Sequence, residues 1–311
     1  MQTGLIYHPD FLKHDTGHHP ENKLRLAKTF DYLEKTGALK KLSLIKFDEA
    51  SEDDIGLIHT AGHIREVKNA YSQGINFLDP DTPVSEQSYK TALLAAGGVL
   101  KACVEVSSEN IKNAFCLIRP PGHHAAPARS MGFCLFNNAA IAARYLQKHL
   151  NHQKILIIDW DAHHGNGTQD AFYDDPSVLY FSTHRYPFYP GSGSSEEKGD
   201  GKGFGFNINV PLPSGSGDKE YISAFEKILI PAAEKFKPEF ILISAGFDAH
   251  IEDPLGGMAV TDEGFKRLTE ITINLSKKHC GNKIVSVLEG GYSLKALPKT
   301  IAAHLEVLMS A

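Results

Sequence analysis

The run Asp159-Trp160-Asp161-Ala162-His163-His164-Gly165-Asn166-Gly167-Thr168 carries two carboxylates and two imidazoles directly after the apolar segment Ile155 to Ile158. That segment reads as a buried strand. Alternate residues of a strand share a face, so Asp159, Asp161 and His163 are expected on one side. Unpaired charges at a buried strand end cost on the order of several kcal/mol each, and a divalent cation removes that cost. Asp248, at the end of another apolar run, completes a set of three ligands with Asp161 and His163. Three protein ligands leave a fourth position for water or substrate, which marks a catalytic rather than a structural zinc site.

Two carboxylates cancel the charge of such an ion. Water bound to it is then less acidic than the pKa of about 7 reached with three neutral histidines. A separate general base is therefore needed. His123 and His124, after Pro120-Pro121-Gly122, are the candidates. An imidazole, with an ordinary pKa of about 6.5, is suited to take a proton from water. Asp159 and Asn166 are natural partners for the two rings. A carboxylate stabilises an imidazolium whereas an amide only orients the ring, so the two histidines should differ in basicity and in role. Tyr292 follows Gly290-Gly291, which let the backbone bend so that the phenol approaches the metal. Its hydroxyl can donate to a carbonyl oxygen, a contact worth about 3 kcal/mol at an oxyanion.

These residues need elements to bring them together. Leu5-Ile6-Tyr7 reads as a short strand, followed by a loop carrying His8, His14, His18 and His19 that is expected to be mostly exposed. Further strands are expected over 42–47, 114–118, 155–161, 178–182, 206–210, 240–244 and 284–288. Helices are expected over 22–35, 61–72, 86–106, 138–150, 169–173, 219–236, 262–278 and 297–308, with a short one capped by Ser51. Residues 76–85 read as a loop, and 185–205 as a long Gly/Ser/Pro-rich one of the kind that is usually functional or disordered. Strands alternating with helices, several of them continuously apolar, predict a mostly parallel sheet covered on both faces, a three-layer α/β/α arrangement. Ligands of such sheets sit outside the carboxyl ends of the strands. The polar clusters after Ile118, Ile158, Phe181, Ser244 and Leu288 all fall there.

The 311 residues, 42% apolar, are expected to form a single domain, because no linker or low-complexity segment divides them. A formal charge of -5 with no basic run argues against a nucleic-acid partner. Cys103, Cys116, Cys134 and Cys280 form no CxxC pair, which fits reduced thiols in a cytoplasm. Met1-Gln2-Thr3-Gly4 shows no secretion signal, and the most apolar helix, Thr91 to Val106, is too short for about 30 Å of hydrocarbon, so no membrane partner is expected.

With these motifs in order, the sequence resembles the zinc-dependent histone deacetylase family, most closely its class II branch and bacterial relatives. The anchors are His19-Pro20-Glu21, Arg119 to Ala125, Gly132 to Asn138, Asp159 to Thr168, Ser244 to Asp248 and Glu289-Gly290-Gly291-Tyr292. The resemblance implies an arginase/deacetylase fold over residues 1–311 and hydrolysis of the acetyl amide of acetyl-lysine. It implies zinc, or iron(II), on Asp161, His163 and Asp248, and His124 as general base and acid. His123 paired with Asp159 becomes an electrostatic partner, Asn166 the partner of His124, and Tyr292 the carbonyl-polarising donor. Gly132, Phe133 and Tyr189 or Phe188 would wall the acyl-lysine tunnel. Asp81 or Asp79 would grip the substrate backbone. A structural potassium ion would sit among Asp159, Asp161, His163, Ser182 and Thr183, partly on backbone oxygens.

Three alternatives differ in class. A polyamine deacetylase would place a glutamate in the segment Asp253-Pro254-Leu255-Gly256, where this chain has Leu255, so the expected partner is an acyl-lysine protein or peptide ahead of a small acylated amine. An arginase-like ureohydrolase needs carboxylates for a second metal, where this chain has His164 and Asn166. A non-enzymatic acyl-lysine reader would not need Tyr292 and both adjacent histidines.

Overall fold

The computed structural model describes residues 2–311. Its strands are β1 (Thr3–Ile6), β2 (Leu42–Leu44), β3 (Phe77–Asp79), β4 (Thr82–Pro83), β5 (Ala114–Cys116), β6 (Ile155–Asp159), β7 (Val178–Arg185), β8 (Asn207–Leu212), β9 (Phe240–Ala245) and β10 (Ile284–Leu288). Eight form one sheet in the order β2-β1-β5-β10-β9-β6-β7-β8. Every neighbouring pair in it is parallel, one step beyond the mostly parallel sheet expected. The apolar sequences explain this. β5, β6, β9 and β10 are buried at every residue, which suits parallel strands covered on both faces.

The helices are α1 (Leu24–Lys35), α2 (Glu52–Ile55), α3 (Ala61–Asn69), α4 (Ser88–Ser107), α5 (Asn138–His149), α6 (Asn166–Ala171), α7 (Asp218–Ala224), α8 (Ile230–Phe236), α9 (Asp262–His279) and α10 (Leu297–Ser310). One layer groups α2, α4, α5 and α6; the other groups α1, α7, α8, α9 and α10. This is the three-layer α/β/α architecture of the arginase/deacetylase fold. No helix among the described residues is long and apolar enough to cross a membrane.

Several local expectations need correction. The strand at 155–161 stops at Asp159, so Asp161 and His163 lie in the connection to α6 and not on the strand. The helix expected at 169–173 starts at Asn166, directly on the polar motif. The strand at 178–182 runs on to Arg185. The helix at 219–236 is interrupted by a wide turn over Phe225–Leu229, just before Pro231, whose missing N–H cannot continue regular bonding. The loop at 76–85 contains the hairpin β3–β4. In the histidine-bearing loop His14 is buried against Ser88 and Glu21, because a short 3₁₀ turn over Pro9–Lys13 folds it inward; His18 is exposed.

Candidate metal centre and active site

The centre forms where β6, β9 and β10 end side by side. Asp159 and Ser244 are register partners, as are Leu288 and Ala245, so the residues that follow each strand meet. Asp161, His163 and Asp248 each offer a ligand atom, and these atoms lie within 4.8 Å of one another. His163 Nδ1 is 3.2 Å from Asp161 Oδ1 and 2.8 Å from Asp248 Oδ2. A tetrahedral ion with bonds of about 2.0–2.2 Å needs ligand atoms about 3.3 Å apart, so the three residues fit a zinc-sized cation.

Backbone amides fix both carboxylates. Asp161 Oδ2 accepts from Gly290 N at 2.8 Å, Asp161 Oδ1 from His163 N at 2.9 Å, and Asp248 Oδ1 from Ala162 N at 2.8 Å. Burial, then the Asp161 charge beside it, raise Asp248 to about 7. Asp161 is buried too, but His123 and His163 hold it below the usual carboxylate range. A cation held between the two carboxylates would relieve this repulsion.

The loop after β10 brings Tyr292 to the same point. A side chain at Gly290 would place its Cβ 2.4 Å from Asp248 Oδ2 and 2.6 Å from Asp161 Oδ2, so only glycine fits. Gly291 has φ of 120°, a conformation that favours glycine. The first glycine thus provides space and the second provides the bend. Asp253 holds the turn beyond: its Oδ2 accepts from Tyr292 N at 2.6 Å and Ser293 N at 3.1 Å. Its Oδ1 accepts from Leu255 N at 2.9 Å and Gly256 N at 3.2 Å. Buried Arg25 of α1 donates to Gly291 O at 2.6 Å and Glu289 O at 2.5 Å, and its guanidinium lies 5.0 Å from the Tyr292 ring centre. Burial and the Asp248 carboxylate push the Tyr292 phenol well above its ordinary value and keep it a donor.

His123 and His124 stand with ring centres 4.1 Å apart but on different partners. His123 Nδ1 meets Asp159 Oδ2 at 3.1 Å, and Tyr180 Oη donates to the same oxygen at 3.0 Å. Burial lowers His123, but the carboxylates of Asp159 and then Asp161 outweigh it and raise the ring to about 10. His124 Nδ1 meets Asn166 Oδ1 at 2.8 Å. Burial, with His123 and His163 nearby, drives His124 well below 6.5. The amide oxygen facing Nδ1 puts the ring proton there and leaves Nε2 with a free lone pair. The two rings are thus shifted in opposite directions, His123 towards its charged form and His124 towards its neutral form. Glu289 holds the backbone that leads into this pair, accepting from Gly122 N at 2.7 Å and His123 N at 3.1 Å.

Aromatic groups surround the centre. Phe133 lies edge-on to Tyr292 at 5.8 Å and to His19 at 4.4 Å. Gly132 and Phe133 both have positive φ, 57° and 69°, and the β3–β4 hairpin holds them there. Gly132 N donates to Asp81 Oδ1 at 3.2 Å and Phe133 N to Thr82 Oγ1 at 3.1 Å. Asp81, expected to grip substrate, thus holds this wall through one of its oxygens. Tyr189 stands edge-on to His124 at 5.2 Å, and Phe188 stacks on His163 at 5.1 Å. Leu255 is half-buried in the Asp253 turn. Ser182 and Thr183 are buried in β7, with Ser182 opposite Asp159 in register.

Arg25, Asp253 and Tyr180 were not singled out from the sequence for these contacts. Only Arg25 left a signal there: with Thr29 and Leu33 it recurs every four residues on the buried stripe of α1, where an unpaired arginine would be costly. Glu21 pairs with it at 3.0 Å and with Arg119 at 2.6 Å, closing a buried charge network under the rim.

Comparison with known proteins places the chain in a family. The histone deacetylase domain model matches residues 19–308. The chain belongs to the histone deacetylase family and is a hydrolase of the deacetylase type. It is 43% identical over 304 residues to a probable deacetylase of Archaeoglobus fulgidus, covering 96% of this chain and 84% of that protein. It is 41% identical to histone deacetylase 15 of Arabidopsis thaliana, over 94% of this chain and 53% of that one. It is 39% identical to the polyamine deacetylase HDAC10 of Mus musculus, over 99% of this chain and 48% of that protein. The chain thus spans most of the archaeal protein but about half of the other two. The crystal structure of the HDA15 HD domain superposes with a TM-score of 0.95 at 38% identity, covering 99% of this chain and 88% of that chain.

Proposed function

We propose that the protein hydrolyses the acyl amide of Nε-acyl-lysine in proteins or peptides, using zinc on Asp161, His163 and Asp248, with residues 1–311 acting as one catalytic domain. The observation that carries this reading is the pairing of His123 with the Asp159 carboxylate and of His124 with the Asn166 amide beside three converging metal-ligand atoms. When bound, the cation would supply Lewis-acid activation of water and of the acyl carbonyl. The residues do the rest. Tyr292 donates its phenolic proton to the carbonyl oxygen. His124 Nε2 accepts a proton from the attacking water, and the same nitrogen then returns it to the leaving amine, so that amide plus water gives carboxylic acid plus amine, which leave as carboxylate and ammonium once the acid proton passes to the amine. His123, held charged by Asp159, stabilises the negative charge that develops on the acyl oxygen. Asn166 fixes the His124 tautomer. Gly132, Phe133 and Tyr189 wall the channel for the lysine methylenes, with Leu255 and Asp81 near its mouth.

A structural potassium ion among Asp159, Asp161, His163, Ser182 and Thr183 belongs to the same reading. Its support is the buried Thr183 hydroxyl, which has no partner among the described residues. Four free, buried thiols suit the reducing cytoplasm.

The test is hydrolysis of an acetyl-lysine peptide beside acetylspermidine by zinc-loaded enzyme. We expect the peptide to be preferred, activity to vanish on chelation and zinc to restore it, and His124→Ala to fold but lose turnover. Faster release of acetate from acetylspermidine would shift the reading to a polyamine deacetylase, which the likeness to the mouse enzyme makes the second candidate. Acyl-lysine binding without any hydrolysis would leave only a reader.

A further inference from the structure

The three ligands are not held alike. Asp161 and Asp248 are buried and tied by backbone amides, whereas the His163 ring is 12% exposed. A metal-bound imidazole is ordinarily oriented by a hydrogen bond from its second nitrogen. Among the described residues, the side-chain contacts of the His163 ring run through Nδ1, the atom turned to the carboxylates. Its plane is set in another way. The Phe188 ring lies against it at 5.1 Å with 24° between planes. The Arg185 guanidinium lies over the same Phe188 ring, 3.9 Å from its centre. Arg185 is itself anchored to both ligand-bearing segments: its backbone N donates to Ala162 O at 2.9 Å, and its Nη1 reaches Gly256 O at 3.4 Å. Gly256 packs against the Asp248 backbone so closely that a Cβ there would lie 1.9 Å from Asp248 O.

We propose that Arg185 and Phe188 are positioning residues for the metal: a guanidinium–phenyl–imidazole column that fixes the ring plane of His163 and shields its exposed face from water. This rests on the proposed metal site. It assigns a purpose to Phe188 distinct from a channel wall, and makes Arg185, which touches no reacting atom, part of the metal-holding structure. A cation over an aromatic face is attracted by the ring quadrupole, so lysine should replace Arg185 in part and methionine should not.

The experiment is competition for Zn²⁺ against a chromophoric chelator, with the Co²⁺-substituted protein's visible spectrum as a second readout and the metal-free melting temperature as a control. Phe188→Leu should weaken Zn²⁺ binding by roughly 10- to 100-fold, the range for outer-shell partners of metal ligands. Phe188→Tyr should stay within about threefold of wild type, and Arg185→Lys should bind more tightly than Arg185→Met, with altered Co²⁺ bands in the weakened variants. Metal-free melting temperatures should be unchanged. Zn²⁺ affinity of Phe188→Leu within twofold of wild type, while wild type binds one equivalent, overturns the column but leaves the metal site intact. Failure of wild type to bind Zn²⁺ overturns both.

Discussion

His123 and His124 are neighbours in the chain and both are buried, yet their pKa values move in opposite directions. Burial, with His123 and His163 nearby, lowers His124, whose Nδ1 faces only the Asn166 amide oxygen, whereas the Asp159 carboxylate at the His123 ring outweighs burial and raises it. This makes Asn166 a sharp test. Asn166→Asp would place a carboxylate on His124 Nδ1, stabilise its imidazolium and raise its pKa by about one to three units. The base must be neutral to act, so the acid limb of the kcat/KM profile should move to higher pH by a similar amount. An unmoved limb would remove His124 from the role of base. Tyr292→Phe should lower turnover roughly 100- to 1000-fold with little change in KM, as loss of an oxyanion donor does; a change below twofold would exclude the phenol. At this scale the sequence was highly legible. Ligand and base types, their spacing and even the carboxylate–amide difference could be read from adjacency. The partners of Arg25 could not, because Glu289 and Gly291 lie more than 260 positions away.

Turns, rather than the regular elements, set the geometry of the site. Asp253, in the connection from β9 to α9, uses both oxygens on four backbone amides and thereby ties the Tyr292 turn to the Leu255 turn. Asp253→Ala should fold but misplace the phenol, and a displacement of about 1 Å costs roughly 100-fold in rate. Steady-state kcat with a parallel melting curve would check this; unchanged kcat would show that the Tyr292 turn needs no such clamp. The hairpin β3–β4 plays the same part for Phe133. It was read as loop because Asp79, Pro80, Asp81 and Pro83 look like turn residues. Only Pro80 and Asp81 form the turn; Asp79 and Pro83 lie in the two strands, where Phe77 pairs with Pro83. Strand and helix cores were legible from apolar runs, while their ends were decided by what the last backbone groups could reach.

Across the whole molecule, buried neutral histidines couple stability to pH. Burial lowers His304 to about 3, where it bridges Thr269 and Ser286. Burial likewise lowers His59 to about 3 and His14 and His184 to about 4. An unfolded histidine titrates near 6.5, so between that value and about 3–4 the unfolded chain binds protons that the folded one refuses. The contribution of these four histidines is therefore full above about pH 6.5 and falls as pH drops, by up to about 1.4 kcal/mol per pH unit for each group. Urea midpoints at pH 7 and pH 5 should show this loss. His304→Gln should show less of it than wild type, and parallel losses would mean that His304 takes no part. Glu21 works in the other pH range: although burial raises it, Arg119 and Arg25 hold it low, so its contribution survives until strongly acid pH.

The chain by itself determined the layers, the parallel sheet and the identity of the chemical groups, because apolar periodicity and residue type are local properties. It also placed those groups at strand ends, where a parallel sheet collects them whatever the details. Only the tertiary structure decided which oxygen faces which ring, which amides tie down Asp161 and Asp248, and which aromatic lies on His163. Those choices are made between segments far apart in sequence, by packing that tolerates little displacement, so no stretch of sequence contains them.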